Sequence, residues 1–318
     1  MSRWFRSCLS LPALVVAGAN VHAQQPPNPD STKQPRPSFE HSKGPVVAID
    51  EAHRNTHAFG TQFRGLVELL RGDGYQVRPF AQAITGRSLS GVDVLIVSGP
   101  GGWGEPDASL SDGEVADLVQ WIHLGGSLLL ILDHMPAPHN AARLTAALGI
   151  SDWHNGYLMV EMPDTLPVGP IIFWRAEFFP AEGQTIGPTG PGGGRGYQGP
   201  DAVLAKHPIT EGRTPAERVR RVATFVGSAF KPPSGAEPLL TVPDRAVSLV
   251  SAETPGALPN ITRETPRSSV GGWLQGAVMK LGRGRVAVFG EVGAFSGGPA
   301  ADNRTFVLNL MHWLNGRL

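Results

Sequence analysis

The sequence predicts an α/β domain of the doubly wound class, built on a mostly parallel sheet. Two observations predict it. Short, continuously apolar runs such as Val94-Leu95-Ile96-Val97 and Leu128 to Leu132 are what strands covered on both faces require. They alternate with longer segments of helical spacing, and that alternation implies right-handed β-α-β crossovers.

The elements follow in order. Residues 1–23 carry Arg3 and Arg6, an apolar run from Leu9 to Ala19, and the small-x-small site Val21-His22-Ala23. This is the layout of a secretory signal peptide, and its apolar run is too short to span a bilayer. Export to the periplasm or beyond is therefore expected, with no membrane-spanning helix in the mature chain. Residues 24–44 are rich in proline and polar side chains and read as a linker. Residues 45–318 are expected to form one domain.

Within it, Val46 to Ile49 reads as a strand ending at Asp50. Helical spacing at Phe63, Leu66, Val67 and Leu70 predicts a helix over Phe59 to Leu70, stopped by Gly72 and Gly74. Tyr75–Phe80 and Val92–Val97 read as strands, the second running into Ser98-Gly99-Pro100. Ser111 begins a helix with Glu114 as its capping-box partner. Ser127 to Leu132 is a buried strand followed by Asp133-His134, and Ala141–Leu148 a further helix. From 151 to about 241 the pattern weakens to short strands at Tyr157–Glu161, Ile171–Trp174 and Val219–Val226. Residues 183–199 hold eight glycines, enough to predict an irregular surface loop. Trp273–Leu281 and Arg285–Phe289 read as paired strands, and Asn303–Leu314 as the closing helix.

Composition excludes several functions. Removing residues 1–23 takes away two arginines and no acid, so the mature chain carries two more acidic than basic residues. Such a balance offers no electrostatic handle for nucleic acid. The one cysteine, Cys8, falls within the leader. Thiol nucleophiles, disulfides and thiolate metal sites are thereby excluded from the mature chain. Asp50-Glu51-Ala52-His53 spells a helicase-like tetrad, but no G-x-x-x-x-G-K-[ST] phosphate cradle accompanies it. Nor is there a G-x-S-x-G elbow.

In an open α/β sheet, ligands sit outside the carboxyl ends of the strands, where loops converge. Asp50-Glu51, Ser98, Asp133-His134 and Glu291 each follow a predicted strand, and His53 and His57 lie on the first loop. The candidate catalytic groups are Glu51, Asp133, His134 and Glu291. Asp50, His53, His57, Asp133 and His134 are candidate ligands for a divalent ion such as zinc, manganese or iron. Each residue also has a plainer use. Asp50 suits a helix cap, His53 and His57 suit solvent, Asp133-His134 suits the bend before Met135-Pro136, and Glu291 suits a loop anchor. Trp103, Trp153 and Trp174 lie in turn-rich segments and suit either sugar stacking or core packing.

The stretches VVAIDEAHRNTH, DVLIVSGP and LSDGEVADLVQWIHLGGSLLLILDHMP, with the closing GRGRVAVFGEVGAFSG and NRTFVLNLMHWL, carry a resemblance. They are similar to an uncharacterised bacterial domain family, of D-E-x-H … D-H-x-P type, within the class I glutamine amidotransferase-like superfamily. That group also includes gliding-motility and intraflagellar-transport auxiliary domains and trehalose-utilisation-like proteins. The resemblance spans about 45–150 and 270–316 and implies a flavodoxin-like three-layer sandwich. It does not imply amidotransferase activity, because the turn that bears the catalytic cysteine in those enzymes corresponds here to Leu132-Asp133-His134-Met135-Pro136. The expectation is an exported ligand-binding or assembly domain acting on a small molecule or envelope partner. Its alternatives are a metal-assisted hydrolase and a sugar-active protein.

Overall fold

The computed structural model describes residues 37–104, 109–181, 196–250, 261–296 and 301–318. The expected leader, most of the linker and most of the glycine-rich stretch lie outside them.

The elements run in chain order as β1 (Val46–Asp50), α1 (Arg64–Gly72), β2 (Gln76–Phe80), β3 (Val94–Ser98), α2 (Asp112–His123) and β4 (Ser127–Ile131). There follow α3 (Ala137–Asn140), α4 (Ala142–Ala147), β5 (Trp153–His154), β6 (Tyr157–Val160), β7 (Ile171–Trp174), β8 (Val203–Leu204) and α5 (Pro208–Glu211). The chain closes with β9 (Arg221–Thr224), β10 (Ala229–Phe230), β11 (Glu237–Thr241), β12 (Ala246–Leu249), β13 (Arg267–Ser269), β14 (Leu274–Leu281), β15 (Gly284–Phe289) and α6 (Asn303–Leu314).

Among the described residues the main sheet has 12 strands. Its first five, in the order β2-β1-β3-β4-β15, are all parallel. That is the order of a doubly wound sheet, in which the chain leaves β1 in one direction and returns to its other side for β3. Beyond β15 the sheet continues through β14, β11, β8, β7 and β9, with mainly antiparallel pairing. A second sheet of three strands, β13-β12-β6, packs beside it.

Alternation along the parallel strands explains the three layers. Val47, Ile49, Val94, Ile96, Leu129, Ile131, Ala287 and Phe289 join one apolar cluster with Leu66 and Leu70 of α1 and Phe306 and Leu310 of α6. The intervening Ala48, Leu95, Val97, Leu128, Leu130, Val286 and Val288 join another with Val115, Leu118 and Ile122 of α2 and Leu144 of α4. Both faces of β1, β3, β4 and β15 are covered, so these strands read as largely apolar runs, whereas β2 at the edge exposes Gln76, Arg78 and Pro79. No helix among the described residues is long and apolar enough to cross a membrane.

Three details depart from expectation. Residues 59–63 are turns, so the first helix begins at Arg64 and Asp50 caps no helix. The helix expected over Ala141–Leu148 is present as α4, and a separate short helix, α3, precedes it at Ala137–Asn140. The middle section holds more strands than its sequence signals, because β5, β8 and β10 are two residues long and β11 is broken by register shifts.

Candidate functional site

The register sets the site. Ser98, Ile131 and Phe289 occupy one row across β3, β4 and β15, and Ile49 pairs with Ile96 one strand away. The polar residues that follow these positions therefore share one edge, with neighbouring strands about 4.8 Å apart. Asp50 and Ser98 stand at the β1/β3 switch point, where a doubly wound sheet opens a crevice.

At this switch point the structure builds a charged clamp. Asp50 is 1% exposed. Its carboxylate accepts hydrogen bonds from the His53 ring at Nδ1 (2.8 Å to Oδ2), Asn55 Nδ2 (2.7 Å) and the Ala52 amide (3.1 Å). The other ring nitrogen of His53 donates to Glu114 Oε1 at 2.9 Å. Burial alone would lower the His53 pKa, but the two carboxylates raise it to about 9. Burial pushes Glu114 upward, but the Ser111 cap and His53 bring it down to about 2. His53 is thus an imidazolium held at both nitrogens. The capping box read from sequence is present, and its glutamate does a second task by clamping His53.

The other histidines are of the opposite kind. His57 is buried, with Nδ1 2.9 Å from Ser98 Oγ and 3.2 Å from Thr56 Oγ1. Burial, reinforced by the charge of nearby His134, lowers its pKa to about 4. Gly99 follows Ser98 at φ 61°, and a Cβ there would collide with the Thr56 side chain. His134 donates from Nδ1 to the Met135 carbonyl at 2.9 Å, which leaves Nε2 as a lone pair 4.0 Å from Asp133 Oδ2. Burial lowers its pKa, only partly offset by the Met135 carbonyl and the negative charge of Glu291.

Asp133 and Glu291 form a largely buried carboxyl pair. Burial raises both, and for Glu291 the Asp133 charge adds to the shift. Glu291 accepts from the backbone amides of Phe225 (3.0 Å), Gly293 (2.6 Å) and Ala294 (3.0 Å). Asp133 has the single opposing amide of His134. Burial and the repulsion between the two carboxyls therefore hold a shared proton on the pair well above the usual carboxylate range.

Over this pair lies a column of rings. Trp103, 49% exposed, stacks on His134 at 5.7 Å and 24°, and His134 stacks on buried Tyr157 at 4.5 Å and 25°. Trp153 instead packs on Phe230, and Trp174 is buried.

The expected residues therefore separate into groups. His57, His134, Glu291 and Asp133 form a chain in which each group feels the charge of the next, whereas Asp50 and His53 are committed to the clamp. Glu51 is exposed and accepts the Phe59 amide at 3.0 Å, outside the group. The expected ligand set of Asp50, His53, His57, Asp133 and His134 does not converge. His53 has no nitrogen left to ligate, and among the described residues no cluster of three or more His, Asp or Glu side chains could hold an ion. These residues do not fit a divalent metal. Asn55, Glu114 and Tyr157 were not recognisable as site residues from sequence. Glu114 left a trace only as a cap, whereas Trp103 already suits sugar stacking or core packing from its turn-rich context.

Comparison with known proteins bears on the fold. The mmIFT52 N-terminal domain superposes with a TM-score of 0.54 at 12% identity, over 85% of this chain and 97% of that one. A ThuA-like protein from Bacteroides uniformis gives 0.41 at 12% identity, over 87% and 94%. A GMP synthase subunit from Thermoplasma acidophilum gives 0.38 at 13% identity, over 85% and 95%. Of these three, the first alone exceeds 0.5, and at its identity it speaks to the fold alone. No family model matches the chain, and no curated protein matches it.

Proposed function

We propose that the chain is an exported ligand-binding domain of the class I glutamine amidotransferase-like superfamily, with a flavodoxin-like sandwich and no thiol nucleophile. Its binding surface is the rim formed by Trp103, His134, Asp133 and Glu291. One observation carries the reading: a half-exposed indole stacks on a column of rings beside a carboxyl pair. An indole face takes the C–H face of a ring, and the neighbouring carboxyl and imidazole take its polar edge. The ligand chemistry that fits is a neutral ring with hydroxyls at its rim, as in a sugar. Export is supported by the layout of residues 1–23 and the proline-rich stretch after them.

A second reading, hydrolysis of such a ligand, is favoured by one feature. His134 is neutral with a lone pair at Nε2 beside a carboxyl pair that shares a proton, which supplies a base and an acid.

The test is a titration of the mature chain with neutral mono- and disaccharides, read by tryptophan fluorescence and thermal shift. Saturable binding is expected, weakened at least about tenfold by Trp103→Ala. Sugar release by the wild type that is lost in Asp133→Asn selects the hydrolytic reading. Absence of saturable binding, or binding that is equal in Trp103→Ala, contradicts the proposal.

A further inference from the structure

We infer that a second site, independent of the rim, lies in the groove beside β2 and takes a tetrahedral dianion, a phosphate or sulfate group. The groove is an open surface hollow of about 510 Å³, lined by Arg78, Gln82, Ala83, Thr85, Arg87, Ser88 and Ser90, most of them exposed. None of the lining residues is acidic. Among the described residues neither arginine has an ion pair or a side-chain hydrogen bond. Two unneutralised guanidinium groups on one concavity add their potentials, and each offers a planar fork matched to a pair of anionic oxygens. The Gln82 amide and the Ser90 hydroxyl add neutral donors at the same wall.

The loop that carries Gln82, Arg87 and Ser90 is preorganised, and Arg78 stands on β2. Ile84, buried at its centre, donates its amide to Glu114 Oε1 at 3.1 Å. Thr85 and Ser88 cap one another through reciprocal amide-to-hydroxyl bonds of 3.0 and 2.9 Å, and Ser88 Oγ donates to the Ala83 carbonyl at 2.8 Å. A fixed loop loses little freedom when an anion arrives. Charged side chains also blunt an exposed edge strand, and β2 is one. That role asks for charge along the strand. It does not require Arg87, well past the end of the strand at Phe80, to face the same hollow as Arg78.

The experiment is isothermal titration of the full mature chain at low ionic strength with inorganic phosphate, sulfate and, as a monoanion, acetate. Saturable binding of phosphate or sulfate in preference to acetate is expected. Whichever of the two binds more tightly identifies the group. The double variant Arg78→Gln/Arg87→Gln should keep the wild-type melting temperature and bind at least about tenfold more weakly. Arg78→Lys/Arg87→Lys should recover part of the affinity, since charge returns without the fork. Failure of phosphate and sulfate to saturate overturns the inference, as does equal binding by the Gln double variant or equal binding of acetate. None of these outcomes bears on the Trp103 rim, where the titrant is neutral.

Discussion

Replacing His53 by alanine is expected to destabilise the protein by about 3–5 kcal/mol, because it strands the carboxylate of Asp50 in the interior without its cation. For a chain of this size that lowers Tm by about 10 °C. The raised pKa of His53, from 6.5 to about 9, is the same interaction seen from the histidine and corresponds to about 3 kcal/mol. Its sign fixes the pH dependence. A group that binds its proton more tightly when folded gives its full stabilisation below pH 6.5, and loses it as pH rises through about 9. Glu114 runs the other way: lowered from 4.5 to about 2, it contributes fully above pH 4.5 and fails as pH falls through about 2. The two shifts describe shared contacts and are not summed. The gap between wild type and His53→Ala should therefore be widest between about pH 4.5 and 6.5 and close steadily toward pH 9 and above. Urea titrations across that range measure it. A gap that stays constant with pH would mean that His53 is held by packing and carries no charge.

Replacing Glu291 by alanine is the second large loss. Glu291 is 2% exposed and is the acceptor for three backbone amides, those of Phe225, Gly293 and Ala294. Truncation leaves three donors without their acceptor, the buried Ala294 amide and the half-buried amides of Phe225 and Gly293, each costing about 1–3 kcal/mol with the buried one at the upper end. A total of about 3–5 kcal/mol allows for some water entry. Glu291→Gln keeps the oxygen that serves Phe225 and Gly293 but sets an NH2 donor against the Ala294 N–H, so that one bond is lost. It should lose only about 1–2 kcal/mol. Denaturant unfolding of the two variants side by side distinguishes an acceptor role from mere volume, since an acceptor role makes alanine much the worse. Near-equal stabilities would remove Glu291 as the anchor of this rim.

Much of the parallel half was legible in the sequence, and physics explains why. Strands such as Val94–Ser98 and Ser127–Ile131 are buried on both faces, so their burial is written as an unbroken apolar run. Placing polar residues after such strands was enough to bring His57, Ser98, Asp133, His134 and Glu291 to one edge. The antiparallel extension was less legible because its strands are short and irregular: β8 and β10 are too brief to show a period. The clamp was hidden for a different reason. Glu114 lies 61 residues from His53, and a capping glutamate gives no sign in sequence that its second oxygen serves a distant ring. The column Trp103–His134–Tyr157 likewise joins three separate segments that only the fold brings together.

The central claim is that the sheet's edge holds imidazoles in two opposed states, His53 charged and structural, His57 and His134 neutral. Imidazole nitrogen NMR on the mature chain across pH 4 to 9.5 tests it most directly. The account predicts that His53 stays doubly protonated until about pH 9, while His57 remains neutral down to about pH 4 and His134 titrates below its ordinary 6.5. Three rings titrating together near the ordinary histidine value would contradict it.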